Sequence, residues 1–502
     1  MAHHNKNQQF VLLPLRNLTA SRNSGQPHLE IFLLGLHAAH RPGAVSKPIS
    51  SLVKNVTMRV LDSIHENGVK LVELPDEQVL RLRAAQPGLR IVPVVYYQTA
   101  DCTYPILTSS VSVKSGRMQR AVTINVVDRT SGQPLKGATV VGFTDYTARA
   151  GVERETNAKG QAVLRIGSDT LRFERLYVLR DPGYWGLLKK NVTLKPSLNV
   201  GLRSINLSAS DGLHHYYGTS KREDGNGVKV AIVDSGVAPH EDLDIDGGRN
   251  TVTGEAEKDF GDNGIGHGTH VAGIVAGQGT PPNGIKGVAP GVTLRSYRVF
   301  GKGSESASNF SIAKAIDRAV ADDCDVINLS LGGGATDDVV LDAVADALSQ
   351  GAVVVAATGN DGRQPVSFPA SLQAVIAVSA FGRKGLYPKD SPQRDEEFKP
   401  PHGDTPAEFV ARFSNIGGEV DFTGPGVGIV STYPGGYAAW NGTSMACPAV
   451  TGAVANLLAQ RSDILGSARN QDRSDAIVQM LVRAVKSLGF GKRFEGYGRV
   501  MI

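Results

Sequence analysis

Apolar runs recur from residue 228 onward: VKVAIVD (228–234), VTLRSYRVF (292–300), CDVINLSL (324–331), AVVVAAT (352–358) and AVIAVSA (374–380). A strand with one wet face alternates apolar and polar residues. Runs like these fit strands buried on both faces of a parallel sheet. Helical stretches between them, such as SIAKAIDRAVADD (311–323) and DDVVLDAVADALSQG (337–351), supply the covering layers. The expected class is α/β, a doubly wound and mostly parallel sheet with functional groups at the carboxyl ends of its strands.

Upstream the texture differs twice. FVLLPL (10–15) and VKLVELP (69–75) read as strands, SSLVKNVTMRVLDSIHENG (50–68) and DEQVLRLRAAQPG (76–88) as helices, and RIVPVVYYQ (90–98) as a strand. That is a small α+β unit. From about 119, short runs rich in β-branched residues alternate with Gly and Asn turns (AVTINVVD, SGQPLKGATVVGFT, ETNAKGQAVLRI), the texture of a β-sandwich. A chain of 502 residues is too long for one core. The expected division is 1–98 α+β domain, 99–118 linker, 119–207 β-sandwich and 208–502 α/β domain. The polar stretch 383–409 reads as a solvated insertion.

Composition excludes some functions. No apolar run approaches the ~20 residues of a membrane span. The nearest, IFLLGL (31–36), is short for the core of a leader, and no clear secretory signal is legible. Cys102, Cys324 and Cys447 are widely spaced and fit neither a disulfide framework nor a metal motif. These features place the chain in the cytoplasm, with secretion by a non-standard route as the alternative. Residues 1–210 hold 27 Lys+Arg against 14 Asp+Glu, whereas the remainder holds 26 against 34. Either two independent surfaces result, or a basic N-terminal half docks on an acidic C-terminal half. The cations are scattered and not interleaved with aromatic platforms, so nucleic-acid binding is not expected.

Four positions carry candidate chemistry. Asp234 ends an apolar strand, where an aspartate is either functional or a turn residue. His267 lies between glycines in GIGHGTHVAGIVAG (264–277), where another backbone can approach the ring; His267 and His270 lack the spacing of a zinc helix. Asn360 in ATGNDG (357–362) either forms a turn or aims an amide N–H into a crevice. Ser444 in NGTSMACPAV (441–450) is a helix N-cap, a nucleophile, or both. Acyl transfer needs a hydroxyl, a base and an orienting carboxylate, and Asp–His–Ser is one known chain order for that set.

AIVDSGV around Asp234, GHGTHVAG around His267 and GTSMACP around Ser444, supported by GVAPGVTL, DVINLSLGG, AATGND and GYGRV, resemble the subtilisin-like serine peptidases (subtilases) across roughly 213–501. The resemblance implies an endopeptidase working through an acyl-enzyme, with Asp234 orienting His267, His267 as base then acid, Ser444 as nucleophile and Asn360 in the oxyanion hole. It further implies that the backbone at Leu331, Gly332 and Gly333 pairs with substrate. Ser330 to Gly332 and Ala357, Thr358 and Gly359 would wall the S1 pocket, with Ser367 near its floor. Protein or peptide substrates follow. No cofactor is required; Asp242 matches a frequent calcium ligand, but GTPPNG (279–284) lacks the acids to complete a site, so no metal residues are assigned.

Residues 50–98 resemble the inhibitory propeptide of many subtilases, which would make the N-terminal unit an intramolecular inhibitor. Asp128, Gly132, Pro134, Leu135, Gly137, Ala138 and Val140, then Thr156, Gly160 and Ala162, resemble the carboxypeptidase-regulatory-like domains, usually accessory modules. Because this sandwich separates propeptide and protease, the junction is not placed by analogy; 98–118 and 207–227 are both linker-like. The leading expectation is a self-inhibited zymogen. The alternative is a permanently inhibited or non-catalytic scaffold binding a partner through the sandwich. An esterase is disfavoured, since G-x-S-x-G is missing and the chain order is wrong. Cys447 is either a packing residue or a reactive thiol beside Ser444.

Overall fold

The computed structural model describes residues 7–19, 27–40, 56–100, 108–109, 119–398 and 403–502. Its centre is an eight-stranded sheet in the order Ile245–Asn250, Thr293–Arg298, Lys229–Asp234, Val326–Leu329, Val353–Ala357, Ile376–Arg383, Glu408–Val410, with Phe422–Pro425 also paired to Ile376–Arg383. All pairings are parallel except Glu408–Val410, which runs antiparallel. The apolar runs lie where expected, buried on both faces. In the Lys229–Asp234 strand, Val230 and Ile232 join one apolar cluster and Ala231 and Val233 join another. The first cluster is covered by helices His267–Ala276, Thr443–Ala459 and Gln471–Arg483, the second by Asn309–Ala321 and Asp338–Ser349.

A separate four-stranded sheet, in the order Arg59–Ser63, Lys70–Pro75, Asn7–Leu13, Arg90–Pro93, is antiparallel throughout. It too is buried on both faces. Phe10, Leu12, Val72 and Leu74 meet Leu29, Phe32, Leu33 and Leu36 of helix Pro27–His40. Val11, Leu13 and Leu71 share a cluster with Phe310, Ile316, Val340 and Val344 of the two central-domain helices. Ion pairs ring this contact: Arg90 with Asp342 and Asp338, Lys314 with Asp62 at 2.9 Å, and His65 with Asp317 at 2.6 Å. The pairs run in both directions, so apolar burial and local complementarity, more than net charge, join the two units.

One expectation fails in this unit. The helix read over 50–68 is replaced by strand Arg59–Ser63; residues 50–55 lie outside the described set. Val56, Met58 and Val60 are all buried, and their two-residue spacing is that of a strand, whatever helical spacing the same stretch offers. IFLLGL, judged above too short for the core of a leader, belongs to the helix covering this sheet.

In chain order, two facing sheets come between these units. One runs Gln161–Gly167, Gln119–Asp128, Ser197–Ser204, Tyr184–Trp185, and the other Leu187–Thr193, Arg172–Leu179, Thr139–Asp145, Ala150–Glu155, Thr108–Ser109. Val122, Ile124, Val126, Leu164, Leu176 and Val178 are among the residues filling the space between them. Of the linker-like stretches, 101–107 and 110–118 lie outside the described residues, and 207–227 contains helix Gly212–Tyr217. The insertion is no solvated loop in its described part. Its turn Pro392–Glu396 buries Pro392, Gln393 and Glu396, and Asp395 pairs with Arg175 and Lys190 of the sandwich at 2.6 Å each. Burial pushes the Glu396 carboxyl up to about 7.

Leu33 is fully buried between helix Pro27–His40 and the four-stranded sheet. Leu33→Ala is expected to cost about 2–5 kcal/mol in denaturant unfolding of the unprocessed chain. A neutral result would show that this helix is not part of the folded core.

Candidate active site

Asp234 ends its strand and His267 begins its helix, and the two side chains meet with no solvent exposure: Asp234 Oδ1 lies 2.7 Å from His267 Nδ1. The glycines explain the closeness. A Cβ on Gly268 would lie 2.3 Å from the Gly236 carbonyl oxygen, and one on Gly266, whose φ is 83°, would lie 2.3 Å from the Tyr433 ring. Only glycine lets the helix start so near the strand end. The Gly268 N–H donates to Ser235 Oγ at 2.8 Å, which pins the helix start.

Ser444 is the second residue of helix Thr443–Ala459, so its N–H has no acceptor one turn back. That N–H donates to the Ala100 carbonyl at 3.0 Å. Ser444 Oγ donates to the Ser330 carbonyl at 3.0 Å, which also accepts the Ala100 N–H at 3.1 Å. Pro448 lies four residues on and has no N–H, so the Ser444 carbonyl is left without its helical donor. It accepts the Ser330 hydroxyl instead, at 3.1 Å.

Asn360 is tied to the residue before Ser444. Its Oδ1 accepts from both the N–H and the hydroxyl of Thr443, each at 2.9 Å, which fixes the orientation of the amide. Nδ2 is buried without a hydrogen-bond partner. Thr443 was not singled out from sequence; its place inside GTSMACP was the available signal.

Strand Tyr96–Thr99 lies between Ser306–Ser308 and Leu331–Gly332, antiparallel to both, with Thr99 opposite Leu331 and Gln98 opposite Gly332. The chain thus fills its own cleft as an extended peptide that ends in Ala100 against Ser444. Tyr97 is buried beside Phe368, with ring centroids 6.0 Å apart. Gly332, Gly333, Gly359, Asn360 and Ser367 line an adjoining cleft of about 930 Å³, which Tyr146 and Arg149 of the sandwich also border. Leu331 reaches the tail through its backbone. Ala357 and Thr358 are wholly buried behind the cleft. The Gly333 N–H goes to the Phe368 carbonyl rather than to the tail.

The residues around Asp242 do not fit a calcium ion. Its Oδ2 accepts from the Ile285 N–H at 2.8 Å and the Tyr437 hydroxyl at 2.9 Å. Gly279 and Gly284 press on Oδ1, where an added Cβ would stand 2.2 and 2.4 Å away. No group of three or more metal-ligating side chains occurs among the described residues. Cys447 is fully buried with Sγ 3.2 Å from Asn328 Oδ1, and burial pushes its thiol up to about 12.

Two outcomes follow. Chelation is expected to leave the melting midpoint within ~2 °C, whereas Asp242→Ala, which orphans the buried Ile285 N–H, should lower stability by about 1–3 kcal/mol. Mercurials should leave native activity intact, and Cys447→Ser should keep it within about twofold; rapid inactivation that Cys447→Ser abolishes would make the thiol accessible after all.

A model of the subtilase family matches residues 225–498. Subtilisin Savinase of Lederbergia lenta is 40% identical over 46% of this chain and 76% of its own length. Subtilisin DY of Bacillus licheniformis is 38% identical over 50% and 84%. Minor extracellular protease Epr of Bacillus subtilis is 38% identical over 45% and 31%. Such relatives overturn the cytoplasmic expectation. The cysteines were a poor guide because Cys324 and Cys447 are both buried, where a lone thiol needs neither a partner nor a reducing solvent. No helix among the described residues is long and apolar enough to cross a membrane. With more than half its length matched and about 40% identity to a subtilisin, the chain belongs to the subtilase family and is a subtilisin-like serine endopeptidase.

Proposed function

We propose that peptide hydrolysis runs through an acyl-enzyme on Ser444, and that the chain is made as a zymogen held shut by its own residues 96–100. The reading rests above all on the hydrogen bond from the Ser444 N–H to the Ala100 carbonyl, at the end of a strand paired into the cleft. A substrate acyl group bound like Ala100 meets the reacting groups in order. His267, oriented by Asp234, takes the Ser444 hydroxyl proton as Oγ adds to the carbonyl carbon. The oxygen becomes an anion received by the Ser444 N–H and Asn360 Nδ2, donors already in place before charge develops. His267 then gives its proton to the departing nitrogen, and water repeats the sequence to release the acyl group.

The same placement makes Ala100 the acyl residue of a first, self-directed turnover, which breaks the Ala100–Asp101 bond within the linker expected over 99–118. The N-terminal unit, taken as residues 1–98, then acts as an intramolecular inhibitor. Its tail lies in the cleft as a product would, and it is retained by the apolar cluster shared with helices Asn309–Ala321 and Asp338–Ser349. By this reading the sandwich, residues 119–207, stays with the protease after cleavage.

Purified chain is expected to bind a fluorophosphonate probe at Ser444 and to release a fragment beginning at Asp101; Ser444→Ala should remain full-length and unlabelled. Asn360→Ala should lower kcat on the order of 10²–10³-fold, and Asp234→Asn on the order of 10⁴-fold. Failure of both labelling and processing at several pH values would favour the permanently inhibited scaffold.

A further inference from the structure

The sandwich touches the protease where the catalytic machinery is backed. Trp440 lies four residues before Ser444, at the end of hairpin Ile429–Tyr433 and Gly436–Trp440. Its indole lies flat on His270, with centroids 4.8 Å apart and 13° between planes, and 6.0 Å from the His267 ring. Tyr433 packs edge-on to Trp440 at 5.6 Å and donates its hydroxyl to the Ile265 carbonyl at 3.3 Å. Trp440 therefore stands behind both the imidazole paired with Asp234 and the loop that delivers it. Burial pushes His270 down to about 3, so the ring beneath the indole is a neutral, fixed surface.

The orientation of that indole is set from outside the protease. Trp440 Nε1–H donates to Asp181 Oδ2, a carboxylate of the sandwich, at 2.9 Å. Asp181 is itself an exposed residue, and the contacts of the residues that follow it hold its backbone against the hairpin. The Gly183 N–H donates to the Tyr437 carbonyl at 2.8 Å, and Pro182 lies against Gly436, where a Cβ would stand 3.2 Å away. Trp185 is buried among Ile285, Val430 and Ala439. Desolvation pushes the Asp181 carboxyl up to about 6, while the Trp440 bond favours its charged form. Above that pH the acceptor is ionised, and a hydrogen bond to an ionised acceptor is stronger than one between neutral groups. An indole has one N–H, so a single acceptor fixes the rotation of the ring.

We propose that Asp181 is a positioning residue for hydrolysis: through Trp440 it fixes the packing surface behind His267, and the β-sandwich is a working part of the mature protease. The inference rests on His267 and Ser444 having the roles given under Proposed function. It assigns the sandwich an internal task, distinct from capture of a separate partner. Asp181 touches no reacting atom. Its effect falls on the turnover step, because a base displaced by a fraction of an ångström leaves ground-state binding almost unchanged.

The test uses the full chain after self-processing and a synthetic peptide substrate. Asp181→Ala is expected to lower kcat about tenfold with KM within about twofold. Asp181→Asn, whose side-chain carbonyl can accept the same bond, should keep at least about half of wild-type kcat. Trp440→Phe, which keeps a ring but loses the donor, should match Asp181→Ala, and the double variant should be no worse than either alone. Trp185 and Trp440 are the only tryptophans, so a changed indole emission in Asp181→Ala reports the release of Trp440. Additive losses, equal losses in Asp181→Ala and Asp181→Asn, or a KM effect alone would overturn the proposal. If the processed wild-type chain hydrolyses the peptide but fluorophosphonate labelling of Ser444 does not abolish that activity, the underlying assignment fails. If labelling of Ser444 abolishes activity and Asp181→Ala keeps wild-type kcat, only the role of Asp181 fails. Should Asp181→Ala not fold, the Asp181→Asn and Trp440→Phe pair carries the same comparison.

Discussion

A parallel sheet whose strands are apolar on both faces must be covered on both faces, and the rest of this molecule is arranged around that requirement. Helices on one side, among them the two that begin with His267 and Thr443, bring their N-termini to the carboxyl ends of the strands. Helices on the other side carry apolar residues outward as well as inward, and the N-terminal sheet covers them in turn. Fold and proposed inhibition thus have a common physical basis. The contact that places residues 96–100 in the cleft is an extension of the same hydrophobic burial that closes the sheet.

Unpaired backbone groups then give the site its chemistry. A helix start leaves N–H groups without internal acceptors, and the one at Ser444 meets a carbonyl. A proline four residues on frees the Ser444 carbonyl, and the Ser330 hydroxyl donates to it. An asparagine held by its oxygen presents its N–H₂. Each is a small local departure from regular structure, made at Ser444 or at its neighbour Thr443. The sandwich adds a further layer. It meets the protease through Asp395 of the insertion and through the hairpin ending in Trp440, so it borders the site rather than hanging from it.

Much of this was legible in the chain. The apolar runs specified the central strands because double-sided burial leaves no alternation to misread. Asp234, His267, Asn360 and Ser444 were singled out from their neighbours, and glycine beside Asp234 and His267 marks how closely their backbones approach. The stretch 50–68 was misread because its apolar residues satisfy two periodicities, and only pairing of Arg59–Ser63 with Lys70–Pro75 selects one. The insertion was misread for a related reason. Polar composition describes a surface, and Asp390 and Asp395 face the oppositely charged Arg129, Arg175 and Lys190 of a distant segment.

The sequence alone determined what is local: the layered α/β class, the strand-end aspartate, the glycine-flanked histidine, the helix-start serine, and the family they resemble. Tertiary structure decided what depends on residues far apart in the chain. It placed Ala100 against Ser444, pressed helix 27–40 onto a sheet, enclosed Asp242 beneath Tyr437 and Ile285, and set Asp181 on Trp440. The physical reason is the range of the forces. Backbone sterics and periodic burial act over a few residues and are written in order along the chain. Hydrogen bonds and packing between segments hundreds of residues apart arise only when folding has brought their surfaces together.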